Sequence, residues 1–373
     1  MSVATEARFA NGATFRGAGA PLAVEPVELD EPRGGDVVVR VSYAGVCGTD
    51  VHILDGHLPV PEPLVPGHEG LGLIEAAGPE ARLTDGSPAI VGQRVMWASS
   101  ISCGRCWQCR VGREPTLCSR RRTYGVNRTG SWSGRMHLEA GTQIFPVPAE
   151  VPCLAAMSLG CAGPTMLHAF DERRAVRRGE TVVVQGSGPV GLAAALYAQA
   201  SGAARVILLG APAERLELAA EAGIGTDRIL IAGAAEEDVV AAAVAKTPGG
   251  RGADLVIECT GVPSAIDSGL RLCRRGGTYL VIGQYTDAGP ALINPHAIVQ
   301  RQLTIKGSWA FTGVHVESYL RSLPAVLERH DLARLVTVFD LESVNDAIAA
   351  VRAGRVMKAV LEPNGLESEH TFV

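Results

Sequence analysis

The stretch Thr181-Val182-Val183-Val184-Gln185-Gly186-Ser187-Gly188-Pro189-Val190-Gly191 decides the fold. Val182 to Val184 read as a strand, Gly186 to Gly191 spell GxGxxG, and Leu192 to Ala200 follow as a helix. A bare GxGxxG is a weak signal, but with a strand before it and a helix after it the pattern is a dinucleotide fingerprint. Gly186 permits the turn, Gly188 lets the backbone approach a pyrophosphate, and Gly191 allows close helix packing. The helix N-terminus at Pro189 and Val190 attracts the negative phosphates. The competing reading is a glycine-rich turn with no ligand.

Downstream, apolar strands alternate with alanine-rich helical stretches: Arg205 to Leu209, Glu214 to Ala222, Asp254 to Glu258 and Tyr279 to Ile282. Such alternation means α/β architecture, a doubly wound parallel sheet with helices on both faces. The residue that reads the adenosine ribose belongs at the end of the second strand, and Leu208-Leu209-Gly210 offers no carboxylate there. A 2′-phosphate is then not repelled, and Arg215 can pair with it, whereas Ala211 and Pro212 supply no side-chain donor. The cofactor stays open between NAD and NADP, and Gly210→Asp is expected to favour NAD.

Upstream the character differs. Asp36 to Tyr43 and Gly70 to Ala77 read as short strands, and helix signals are scarce. From about Gln302 the tail reads as strand, helix, strand, with Ser318 to His330 and Ser343 to Ala353 helical and Lys358 to Glu362 extended. At 373 residues, 47% apolar and 20% charged, two packed domains are expected. No apolar run approaches a membrane span, and Met1 to Asn11 lack a secretory pattern, so cytoplasmic residence is expected. A net charge of −5 gives no global reason to bind nucleic acid or an anionic membrane. The arginines from Arg105 to Arg135 read as a solvated or subunit-contact face, since no aromatic stacking pattern accompanies them.

Nine cysteines in a reducing compartment argue for metal rather than disulfides. Cys103, Cys106, Cys109 and Cys118 are spaced to wrap one tetrahedral zinc, a closed structural site. An iron-sulfur reading competes, but the ferredoxin run places its fourth cysteine three residues on, before proline, whereas eight residues intervene here and Ser119 follows. A sparser set, Cys47 with His68 and Glu69, contains a thiolate and an imidazole, both good zinc ligands; a site with three protein ligands leaves a position free for substrate.

Cys47-Gly48-Thr49-Asp50, Gly67-His68-Glu69, the cysteine quartet and the later GxGxxG, in that order, resemble the zinc-dependent medium-chain alcohol dehydrogenase superfamily. The resemblance covers nearly the whole chain. It implies a β-rich GroES-like catalytic domain, residues 1–162 and 306–373, binding two zinc ions, and an inserted Rossmann domain, residues 163–305, with the active site in the cleft between them. It matches Cys47, His68 and Cys161 to catalytic zinc ligands; polyol-type relatives often use Glu at the third. Glu69 matches a carboxylate beside the ligand histidine, either adjacent to the metal or a transient ligand, and Asp50 the partner that orients His68. Thr49 and His52 match a proton relay, the proton leaving before hydride passes to the nicotinamide.

Three departures mark the match. The last spacer of the quartet is one residue longer than usual, which predicts a bulge at Glu114 and Pro115. Gly48 replaces the phosphate-binding arginine of animal relatives, so Lys358 is expected to contact the pyrophosphate. Ser99 stands where a pocket phenylalanine is common, and Trp132, Trp309 and His57 are candidates to line a wider pocket or to pack elsewhere. The expected activity is hydride transfer between a small-molecule alcohol and NAD(P), giving an aldehyde or ketone, by a homodimer or homotetramer. A carbonyl reductase is the same reaction reversed. A dinucleotide sensor with only structural zinc would need a broken catalytic set, and Cys47, Thr49, His52, His68 and Cys161 are all present.

Overall fold

A computed structural model describes residues 9–365. The outer ends of the expected catalytic segments, residues 1–8 and 366–373, lie outside the described residues. The chain divides into two compact units, Met1–Cys161 with Thr312–Leu323 and Val336–Val373, and Ala162–Phe311 with Pro324–Leu335. Among the described residues no helix is long and apolar enough to cross a membrane.

The second unit is built on six parallel strands in the order Asp227–Leu230, Arg205–Gly210, Thr181–Gln185, Ala253–Glu258, Cys273–Val281, Thr304–Gly307. Numbered along the chain this is 3-2-1-4-5-6, so the order reverses between Thr181–Gln185 and Ala253–Glu258. Helices cover both faces of the central strands, which is why Val182 to Val184, Ile207, Leu208 and Leu255 to Ile257 are fully buried and read as continuous apolar runs rather than alternating ones. The helix Pro189–Ala200 is buried over most of its length; its alanines let it lie close to the sheet.

The unit's boundary differs from the expected one. Thr304–Gly307 pairs with Cys273–Val281 and is the sixth strand of this sheet, not the start of a return to the first unit. Pro324–Leu335 also stays here, held by His330 Nδ1 against the Ala222 carbonyl at 2.9 Å and by an Arg334–Glu221 ion pair.

The first unit carries a sheet in the order Val336–Asp340, Lys358–Glu362, Val37–Gly45, Gly70–Ala77, Arg94–Trp97, Ile144–Pro146, with Arg135–Leu138 also paired to Val37–Gly45. All its pairings are antiparallel except the first, which is parallel. Val37–Gly45 is covered on both faces, so even Ser42 is buried. Its C-terminal end leads into Cys47, and the register Val360↔Gly45 lays Lys358–Glu362 alongside.

Candidate active site and cofactor cradle

Cys47 is the N-cap of the short helix Gly48–Leu54. Asp50, in the first turn of that helix and 0% exposed, uses both carboxylate oxygens. Oδ2 accepts the Cys47 backbone N–H at 2.8 Å, and Oδ1 faces His68 Nδ1 at 3.2 Å. One carboxylate therefore fixes the loop bearing the thiol and turns the other imidazole nitrogen, Nε2, away from itself, the arrangement that orients metal-bound histidines. Cys161 stands just ahead of the helix Ala162–His168. Ligand atoms of Cys47, His68, Glu69 and Cys161 all lie within 4.8 Å of one another. Two sulfurs, an imidazole and a carboxylate so close together suit zinc.

Thr49 and His52 lie three residues apart on the same helix and so share a face. His52 is half-buried, with the exposed His57 ring 5.8 Å from its own.

Glu69 is buried against a cation. Lys358 Nζ donates to both its oxygens at 2.7 Å and to the Val46 carbonyl at 3.1 Å. Lys358 is 3% exposed, and its ammonium is committed to Glu69 and the Val46 carbonyl rather than turned to solvent. The C-terminal strand carries it to Glu69 through the pairing of Lys358–Glu362 with Val37–Gly45.

The electrostatics follow from crowding in a buried place. The Cys47 thiol is pulled well below its usual range by the hydrogen bond from Cys161, with His68 assisting against burial. Cys161 is pushed well above it by the same pairing and by burial. Burial opposes charge on His68, but the Asp50 carboxylate outweighs it and raises the imidazole well above its usual value. Burial also raises Glu69, opposed by Lys358. Ligation needs thiolates and a neutral imidazole, so filling the site releases protons.

The sulfurs of Cys103, Cys106, Cys109 and Cys118 form a second group within the same 4.8 Å limit. Cys106 lies 3.4 Å from Cys109 and 3.8 Å from Cys118, and the Cys103 N–H donates to the Cys118 sulfur at 3.3 Å. Backbone N–H donors, Arg105 first, bring Cys103 down to about 6, while burial takes Cys109 up to about 12. Within the last spacer, where a bulge at Glu114 and Pro115 is expected, Arg113 has φ +55° and Pro115–Leu117 form a short turn capped by Glu114. Of the surrounding arginines, Arg122 and Arg128 share Glu139, and Arg135 pairs with Glu75.

In the second unit Gly186 has φ +109°, and a Cβ on Gly191 would sit 1.8 Å from the Gly186 carbonyl oxygen, so only glycine lets the helix start this close to the strand. Pro189 and Val190 open the helix, and nothing lies within 4 Å of where a Gly188 side chain would point. A cavity of about 320 Å³ opens at the strand ends where the order reverses, lined in part by Gln185, Gly186, Leu209, Ile231 and Thr260. In doubly wound sheets that crevice is where dinucleotides bind. Arg215, half-buried, lies one turn into the helix Ala213–Glu221 that follows Gly210. Gly210 itself is backed by Ser187, whose hydroxyl donates to the Ala211 carbonyl at 3.2 Å.

Of the pocket candidates, Trp132 is fully buried and donates to the Gly45 carbonyl at 3.0 Å, which makes it core. Trp309 stacks on Tyr285 with ring centroids 4.4 Å apart. The Ser99 carbonyl accepts from the Tyr124 N–H.

Residues 33–149 match the alcohol dehydrogenase GroES-like domain and residues 189–327 the zinc-binding dehydrogenase domain. The chain is 34% identical over 342 residues to 5-exo-hydroxycamphor dehydrogenase of Pseudomonas putida, covering 90% of this chain and 94% of that one. An alcohol dehydrogenase from Thermotoga maritima superposes with a TM-score of 0.88 at 31% identity, covering 95% of this chain and 99% of the other. A zinc-binding dehydrogenase from Sinorhizobium meliloti, solved bound to NADP, gives 0.84 at 28% identity, with coverage of 95% and 99%. The chain belongs to the zinc-containing medium-chain dehydrogenase superfamily. Its class of reaction is NAD(P)-dependent oxidoreduction of an alcohol, with zinc.

Proposed function

We propose that Cys47, His68 and Cys161 hold the zinc of the reaction, and that Cys103, Cys106, Cys109 and Cys118 hold a second, structural one. The convergence of thiol, imidazole and carboxylate within 4.8 Å, with Asp50 setting both Cys47 and His68, carries this reading. When bound, zinc polarises the alcohol oxygen and the nicotinamide accepts hydride. Asp50 keeps His68 Nε2 aimed into the site. Thr49 and His52 offer a hydroxyl and an imidazole on one helix face to carry the substrate proton outward. Glu69, neutralised by Lys358, stands within ligand distance without adding net charge. Gly186, Gly188 and Gly191, with Pro189 and Val190 at the helix N-terminus, take the pyrophosphate, and Arg215 in the helix after Gly210 can pair with a 2′-phosphate, so NAD and NADP both stay open.

The substrate is an alcohol or its carbonyl counterpart, and the relative's name puts 5-exo-hydroxycamphor first in the screen. A homo-oligomer is supported by the edge strand Thr304–Gly307, exposed at all four residues, and by Leu292 and Val299, 93% and 77% exposed in the same unit. Metal content with turnover tests the centre. The wild type is expected to hold two zinc ions per chain. Cys47→Ser should lose one together with activity, and Cys103→Ser should lose the other together with stability. Full activity in Cys47→Ser overturns the assignment.

A further inference from the structure

Glu258 ends the strand Ala253–Glu258 and is 0% exposed. Its Oε1 accepts the Thr260 N–H at 2.6 Å, the Thr260 hydroxyl at 2.7 Å and the Gly261 N–H at 2.8 Å; its Oε2 accepts the Gly283 N–H at 3.0 Å. The Glu258 carbonyl also accepts from Ile282 and Gly283, so the Gly283 N–H is shared. Among the described residues no Lys, Arg or His forms an ion pair with this carboxylate. A fully buried carboxyl group held by four neutral donors and no cation is a costly group to place at a turn.

What it joins is the point. Thr260 and Gly261 begin the loop after the fourth strand in chain order, Gly283 the loop after the fifth, and the two touch backbone to backbone. A Cβ on Gly283 would lie 2.5 Å from the Gly261 nitrogen, and one on Gly261 2.8 Å from the Gly283 carbonyl oxygen. Thr260 also lines the cavity at the reversal of strand order. In a doubly wound sheet each half takes one mononucleotide, so a cavity reaching Leu209 and Ile231 takes the adenylate, and the loops after the fourth and fifth strands border the nicotinamide half.

We infer that Glu258 is a positioning residue that locks the loop beginning at Gly283 onto the wall of the adenylate cavity and so sets the seat of the nicotinamide half. This rests on the dinucleotide reading of the second unit. In Glu258→Gln the remaining oxygen keeps the Thr260 and Gly261 donors, while the new amide N–H faces the Gly283 N–H.

The test measures binding of NADH, NADPH and 5′-AMP to the full chain. Glu258→Gln should weaken the preferred dinucleotide about tenfold, because the new amide N–H opposes the Gly283 N–H although that donor keeps the Glu258 carbonyl, and should leave 5′-AMP within about twofold. Gly283→Ala, which wedges the same loops apart with Glu258 intact, should show the same split and decides alone if Glu258→Gln does not fold. Equal weakening of dinucleotide and 5′-AMP, or no weakening of the dinucleotide, overturns the inference. A wild type that binds none of the three overturns the dinucleotide reading itself.

Discussion

Gly210→Asp is the change that would place an acid against the adenosine ribose, and read from the chain alone it should shift preference toward NAD. The structure gives a different outcome. A Cβ on Gly210 would fall 2.2 Å from Ser187 Oγ and 2.3 Å from Ser187 Cβ, where ordinary contact begins near 3.4 Å. Ser187 is 3% exposed and has no open solvent to turn into, so it must move by about 1 Å and give up its bond to the Ala211 carbonyl. Overpacking costs ~1–3 kcal/mol and the lost hydrogen bond about 1 kcal/mol more. At roughly 2–4 °C per kcal/mol, melting of Gly210→Asp should fall by about 4–16 °C. Because Ser187 lies inside the GxGxxG turn, affinity for NADH and NADPH should fall together. Adding Ser187→Gly removes both clashing atoms, and the double variant should recover the melting temperature and only then prefer NAD. Thermal melts with titration of both cofactors read this directly. A single variant that melts like wild type and cleanly prefers NAD would refute the steric argument.

Asp50→Asn keeps the shape of the ligand-bearing loop but removes the charge behind His68; zinc affinity, read by competition with a chelator, should fall about 10- to 100-fold. Lys358→Met leaves Glu69 buried without its cation and should destabilise the first unit by about 3–5 kcal/mol, whereas Lys358→Met with Glu69→Gln should regain much of that in denaturant melts. Asp254 accepts the Thr181 N–H at 2.8 Å and Arg274 at 2.6 Å, which hold its carboxyl below the ordinary 3.8 despite burial. Its contribution is present above pH 3.8 and lost as pH falls through the folded value, so the melting gap between wild type and Asp254→Asn should be full at pH 7 and close in strong acid. An unchanged gap in acid would locate the effect in packing instead.

The parts of this molecule that could be read along the chain are those whose physics is local. The GxGxxG turn, the apolar strands and the quartet are each defined by neighbours in sequence, because a tight turn, a doubly covered strand and a four-thiol loop need only adjacent residues. What escaped depends on pairing across the sheets. Lys358 meets Glu69 only because Val360 falls opposite Gly45, and no local pattern encodes that register. Ser187 blocks Gly210 because two adjacent parallel strands end level with each other. Thr304–Gly307 joined the second unit although its four residues are exposed, so it lacked the apolar signature of its sheet. Glu258 did leave a trace, an acid closing the run Asp254-Leu255-Val256-Ile257 where burial on both faces leaves no water to receive it.

The Lys358–Glu69 pair also bears on how the centre comes into being during synthesis. The residues proposed to ligate zinc are all encoded by Cys161, but the cation that pairs with Glu69 comes only with residue 358, after the whole inserted unit. In order of synthesis, Glu69 therefore precedes its cation by the length of that unit. The strand Lys358–Glu362 is thus made after all of the donors that it completes.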